Sequence, residues 1–340
     1  MAVTDLGSAG FALHPLHGVH EPTDSTPARR PGSVRRTTSM DMTRIPGVPD
    51  PVYLVGVGRD LVTADDGSAL VHRSVGLEAT VELMARTVRE ITTDPPTSAT
   101  SKLVGVPAMG GFRAAADAAA PELRRARDVL YALLDDVPGC TLISGHALGA
   151  SGELEPARTG YLPLADQCAG FVTGGLLMTS FESGEPVIAT GPVAPDLTDP
   201  DDPLGWHQVG ELPLHGMRRR RRVDVTQRPG GAEVDIDAMF RDTYVRGDGA
   251  ETIVHEYTLL ATVEPATGLI VDSRATPRVL PWQECPGAAR SAGKITGMTL
   301  SELHSRVRRE LSGTTTCTHL NDLLRSIADA EALIALLPAG

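Results

Sequence analysis

From residue 40 onward the chain nearly repeats itself, and this limits its possible folds more than any other feature. MDMTRIPG (40–47) parallels VDVTQRPG (223–230), and GRDLVTADDGSALVH (58–72) parallels FRDTYVRGDGAETIVH (240–255). EATVE (78–82) then parallels LATVE (260–264), and GCT (139–141) parallels TCT (316–318). The order is kept in all four matches, so an internal duplication is the expected explanation.

Each copy reads as short strands followed by helices. In the second copy Val234, Ile236, Ala238, Phe240 and Tyr244 alternate with Glu233, Asp235, Asp237 and Arg241. That is the period of a half-buried strand. Gly247-Asp248-Gly249 follows, and Asp-Gly is a strong hairpin signal. Thr252–Glu264 alternates again, with Ile253, Tyr257, Leu259, Ala261 and Val263 on one side, and Leu269–Leu280 reads as a third strand. Helical spacing then takes over in Leu300–Leu311 and Thr318–Leu337. In the first copy Val52–Val62 reads as a strand and Ala114–Leu134 as one long alanine-rich helix. Strands first and helices after predict an α+β fold with antiparallel sheet. The expected architecture is two meander-plus-helices units packed about a pseudo-twofold axis. The divisions are a loose arm (1–33), a degenerate first repeat (34–148), a Pro/Gly-rich linker (149–215) and a second repeat (216–340) that carries the candidate site.

Charge and cysteine usage narrow the function. The 31 basic residues against 43 acidic give a net charge of −12, which argues against a nucleic-acid partner. The one basic cluster, Arg218–Arg222, would split its charges between two strand faces, and as an edge strand it would discourage aggregation. Cys140, Cys168, Cys285 and Cys317 contain no CxxC pair, and no leader pattern is visible. A cytoplasmic protein is expected, with no membrane partner, since no apolar run reaches spanning length. Oligomers are possible.

Several polar residues fall where chemistry could occur. Asp242 has the parity of its strand's apolar face, and His255 has that of the next strand. With Asp248-Gly249 as a two-residue turn they lie directly opposite, where Cβ atoms are about 4.5–5.5 Å apart. The expectation is a partly buried Asp–His pair whose carboxylate raises the imidazole pKa and suits a general base, or else a core ion pair that fixes register. Asp60 and His72 are the matching residues of the first copy, and Glu256 stands where that copy has Arg73. Glu284 and Cys285, beside Trp282, belong to the second copy alone. In GTTTCTHLNDLL (313–324), Cys317 recurs as Cys140 and reads as a buried structural thiol, with Thr316 or Thr318 capping the helix. His319 and Asp322 stand where the first copy has Leu142 and Gly145, and a histidine near a helix N-terminus loses basicity to the helix dipole. A zinc site from Cys285, Cys317, His255 and His319 has unlike spacings for a closed structural motif, and His207 in the linker reads as a packed anchor. No phosphate loop, nucleophile elbow or HExxH is present.

The ordered set FRDTY, VHEY, ECP, Gly297 and TCTHLNDLL resembles a bacterial domain-of-unknown-function family, the one numbered 2889. The resemblance covers about residues 215–330 and marks Asp242, His255, Cys285, Cys317 and His319. The chain departs from the pattern in Glu256, where the family has Asp, and in Thr316, where it has Gly. The resemblance implies no known activity.

The expected function is a cofactor-independent and metal-free acid/base enzyme acting on a small, apolar substrate: an isomerase, a hydratase or dehydratase, or a lyase. Asp242, His255, Glu256, His319 and Asp322 are the candidate catalytic groups. Arg241, Tyr257, Trp282, Glu284 and His207 are the candidate substrate contacts. A metal- or small-ligand-binding protein without turnover and an assembly protein are the alternatives.

Overall fold

A computed structural model describes residues 18–152, 163–184 and 187–338. The rest of the 1–33 segment and parts of the 149–215 segment lie outside the described residues. Two runs of alternating sequence make two four-stranded antiparallel meanders. The first is β1 (Ser33–Thr43), β2 (Val52–Thr63), β3 (Ala69–Glu82) and β4 (Thr87–Asp94). The second is β5 (Met217–Gln227), β6 (Val234–Val245), β7 (Glu251–Glu264) and β8 (Leu269–Val279). The meanders join along β1 and β5 into one eight-stranded sheet of order β4-β3-β2-β1-β5-β6-β7-β8. The β1–β5 pairing is itself antiparallel, so the strand order runs outward in the same way on both sides of the centre.

This placement corrects the expectation for Arg218–Arg222. β5 lies at the centre of the sheet, not its edge, and four of its five arginines are buried. Their charges do divide between the two faces. Arg219 and Arg221 share the parity of Met217, Val223 and Val225, which belong to the helix-side core. Arg218 and Arg222 point to the opposite face and pair with Asp41, and with Asp224 and Asp237.

The stretch Ala114–Leu134, expected as one helix, is divided into α1 (Phe112–Ala119), α2 (Pro121–Arg125) and α3 (Val129–Ala150). Pro121 has no amide to continue α1, and Arg127 adopts φ 50° before α3. The Asp128 carboxylate caps α3 by accepting from the Leu130 amide at 2.8 Å. After α4 (Leu176–Glu182) and the second meander come α5 (Leu300–Glu310), α6 (Thr318–Ser326) and α7 (Ala330–Ile334). The GCT and TCT matches do not occupy like places. Cys140 is mid-helix in α3, whereas Cys317 is the N-cap residue of α6 with no side-chain cap bond. Thr316 donates instead to the Gly313 carbonyl at 2.9 Å.

Helices α1, α3, α5 and α6 cover one face and bury two apolar clusters, one under each meander. Part of the opposite face is covered by extended chain. Residues from the 1–33 segment run along β8, where Leu280 donates to the Val19 carbonyl and Glu21 to the Arg278 carbonyl. Trp206 and Leu197 of the 149–215 segment pack on Met239. Among the described residues no helix is long and apolar enough to cross a membrane.

Candidate functional site

Three residues converge at the helix-side face of the second meander: Asp242 of β6, His255 of β7 and His319 in the first turn of α6. Asp242 and His255 are paired across the hairpin as expected, although the turn is different. The strands close around Gly247–Gly249, with the Arg246 amide bonded to the Ala250 carbonyl at 2.9 Å. This loop shifts the register by one residue, and a bulge between Asp242 and Thr243 shifts it back. Val254 is the extra residue, so Thr243 pairs with Ile253 while Asp242 pairs with His255. Val254, rather than Ile253, thereby joins the core with Met217 and Tyr244.

The His255 and His319 rings are stacked, with centroids 3.7 Å apart and planes at 19°. Nε2 of His319 lies 3.9 Å from Oδ2 of Asp242. One ligand-type atom from each of the three side chains lies within 4.8 Å of the other two. Asp242 is fully buried and each histidine retains 8% exposure. Nδ1 of His255 and Nε2 of His319 have no hydrogen-bond partner. Such orphaned buried polar atoms are uncommon enough to require a cause.

Electrostatics hold both imidazoles neutral. Burial, followed by the neighbouring Arg219 and Arg221 guanidinium groups, pushes His319 down to about 3. Burial and the adjacent His319 push His255 well below the usual histidine range, and Asp242 opposes them without prevailing. The expected rise in the His255 pKa is therefore reversed. Desolvation outweighs the carboxylate, whose oxygens are turned to another cation.

That cation is Arg219. Its Nε and Nη2 donate to the two oxygens of Asp242 at 2.9 and 3.0 Å. Its Nη1 donates to Asp136 at 3.1 Å and to Asp322 at 2.9 Å. Arg221 joins Asp136, and Arg325 joins Asp322 and Asp135. Arg113 bridges Asp135 and Asp322, at 3.0 Å to each. Four arginines and four aspartates thus balance one another in the interior, as buried charges require. Burial works to raise the Asp322 pKa, but Arg325, Arg113 and Arg219 overcome it and hold the carboxyl well below its usual range. Gly139 of α3 makes room for this network: a Cβ there would stand 2.2 Å from Nη1 of Arg219.

The first meander carries a related arrangement. Arg36 grips both oxygens of Asp60, each at 2.7 Å, and reaches Asp329 at 3.1 Å. Yet Asp60 pairs with Arg73, not His72, which corrects the matching made from sequence. Arg73 therefore occupies the place of His255, and exposed His72 corresponds to the bulged Val254.

The other expected residues divide between the two faces. Arg241 and Glu256 lie on the opposite face of the sheet, where Glu256 accepts from Arg241 at 2.7 Å and from the Thr23 amide at 2.8 Å. His207 is also on that face, bonded to Ser39 at 2.7 Å and Thr37 at 2.9 Å. Tyr257 is on the site face, and its burial raises the phenol pKa well above the usual range. Burial raises Cys317 to about 12 and Cys285 well above the usual thiol range, so all are protonated and neither cysteine joins the histidine cluster. Trp282 is buried beside Gly170, and Glu284 accepts from the Leu176 amide at 2.9 Å at the start of α4. These last two support the helix layer.

Two site residues escaped sequence reasoning. Arg219 was readable from its in-phase placement with Met217, Val223 and Val225. His146 of α3 had no sequence signal. It packs edge-on against Tyr244 at 5.3 Å and interacts electrostatically with Asp242 and His255, and burial lowers it to about 4.

These features define an α+β protein with a buried histidine–carboxylate centre set in an arginine–aspartate network. The segment 217–333, which holds all three residues of that centre, matches the model of the family described as Protein of unknown function (DUF2889). No curated protein matches the chain. One solved structure, a crystal structure of lipopolysaccharide binding protein, aligns at 7% identity over 91% of this chain and 90% of its own. Its TM-score of 0.14 carries no argument about fold or function.

Proposed function

We propose that this chain is an acid/base enzyme, acting on a small molecule by proton transfer at Asp242, His255 and His319. Isomerisation, hydration or dehydration, and lysis are the reactions within reach of such groups. The observation that supports this reading best is the pair of free, buried imidazole nitrogens beside one carboxylate. Both nitrogens carry free lone pairs, and the Arg219 fork fixes the carboxylate beside them. Phe240 and Tyr257 flank the histidines on the same face, which favours an apolar substrate body. The two meanders are proposed to descend from one duplicated unit, with Arg73 closing the first copy's site. Four unpaired, buried cysteines favour a reducing compartment, the cytoplasm.

The experiment is hydrogen exchange from D2O into a panel of small carbonyl and hydroxy compounds, followed by mass spectrometry. Turnover by the native chain is expected to disappear in His319→Gln and in His255→Gln with the fold retained. Exchange that persists undiminished in both variants would move the chemistry elsewhere.

A further inference from the structure

We infer that Asp242, His255 and His319 hold a divalent transition-metal ion, with one ligand atom from each. The inference rests on the reading of these residues as the functional centre, and makes a metal-bound water the proton acceptor. It departs from the metal-free site expected from sequence.

Distance is the first argument. Bonds from such metals to imidazole nitrogen and carboxylate oxygen are about 2.0–2.2 Å, so two ligands of one ion stand roughly 3–4 Å apart. The 3.9 Å between Nε2 of His319 and Oδ2 of Asp242 is too long for a hydrogen bond and fits two bonds to a shared ion. All three donor atoms fall within 4.8 Å.

The second argument is the pair of orphaned nitrogens. Both histidines are more than nine-tenths buried, and each has a ring nitrogen with no partner. A shared ion gives both orphaned nitrogens a partner.

The surroundings fit as well. Ligating carboxylates are usually oriented by a further hydrogen bond, and Arg219 supplies two. Two nitrogens and one oxygen suit zinc, iron(II), cobalt(II) or nickel(II) better than calcium or magnesium. Three protein ligands leave positions open, as in catalytic rather than closed structural sites. The arginines and aspartates around the site already balance, so the ion's charge calls for an anionic outside ligand: hydroxide, or the carboxylate of a substrate.

The test is titration of the full chain, stripped with a chelator, with Co(II) and Zn(II), read by visible absorption and by metal analysis after dialysis. One equivalent per chain is expected. His255→Gln and His319→Gln should each weaken it at least about tenfold, and His304→Gln, a buried histidine outside the cluster, should not. Circular dichroism checks that the variants fold. Should one histidine variant fail to fold, the other together with the native chain decides. Native protein that binds neither ion, or equal binding in the folded histidine variants, overturns the inference. D2O exchange without bound metal would leave the proton-transfer reading standing alone. Metal binding without exchange on any substrate would leave the metal site and remove that reading.

Discussion

Arg219 grips both oxygens of Asp242 from the neighbouring strand, at 2.9 and 3.0 Å, with both side chains out of contact with water. The same guanidinium ties Asp242 to Asp136 of α3 and Asp322 of α6, so one side chain joins the carboxylate of the site to helices from both halves of the chain.

Arg219→Met is expected to destabilise the fold by about 3–5 kcal/mol, because it strands Asp242 in the interior and takes one partner each from Asp136 and Asp322. Urea unfolding measures the loss. Arg219→Lys should recover only part of it, since an ammonium cannot fork across both oxygens. Equal stability for native chain and methionine variant would remove Arg219 from this role.

Gly139→Ala tests the same network from the helix side. The added methyl would meet Nη1 of Arg219 at 2.2 Å and Oδ2 of Asp322 at 2.7 Å. Alanine is the better helix former, so propensity alone predicts a gain of about 1 kcal/mol. Overpacking should reverse the sign, with a net loss of roughly 1–3 kcal/mol. A raised melting temperature would show that the network shifts without cost.

Glu256 separates the two faces of the sheet. Glu256→Ala leaves Arg241 with two backbone carbonyls, of Pro195 and Thr23, and no counter-charge. A loss of about 3 kcal/mol is expected in chemical denaturation, with Co(II) affinity unchanged. A large change in affinity at native stability would bring Glu256 back to the site.

Acid should destabilise the chain through histidines outside the site. Burial holds His304 and His207 near 3 in the folded state. His304 faces Asp135, which opposes the shift, and Arg325, Arg127 and Arg124, which assist it. The folded value is below the unfolded value of 6.5, so the unfolded chain binds the proton first. Stability conferred by the neutral ring is whole above pH 6.5 and falls as the pH drops toward about 3. His304→Gln should flatten that decline in unfolding curves taken across the window. An unchanged slope would assign acid sensitivity to other groups.

The alternating residues of β6 and β7 determined the faces of those strands locally, because side chains alternate across a strand whatever lies beyond it. Asp242 and His255 were legible as partners for that reason. Their pairing survived a wrong turn only because the bulge at Val254 offset the longer loop. His319 and Asp322 were legible as polar residues beside a helix stripe, yet Asp322 serves the ion-pair network rather than standing free at the site. Glu256 was separable by parity, since it follows His255 on the strand and so faces the other way. His207 could not be excluded, because no periodicity places a linker residue relative to the sheet.

The sequence by itself determined the α+β class, most of the strands, the segment that carries the family resemblance and the buried parity of Asp242. Only the tertiary structure decided that β5 lies at the sheet centre and that its arginines face carboxylates from both halves. It alone brought His146 near and reversed the expected shift of His255. Local periodicity depends on bonds along the chain, whereas strand order, desolvation and charge pairing depend on groups hundreds of residues apart, whose meeting no short stretch encodes.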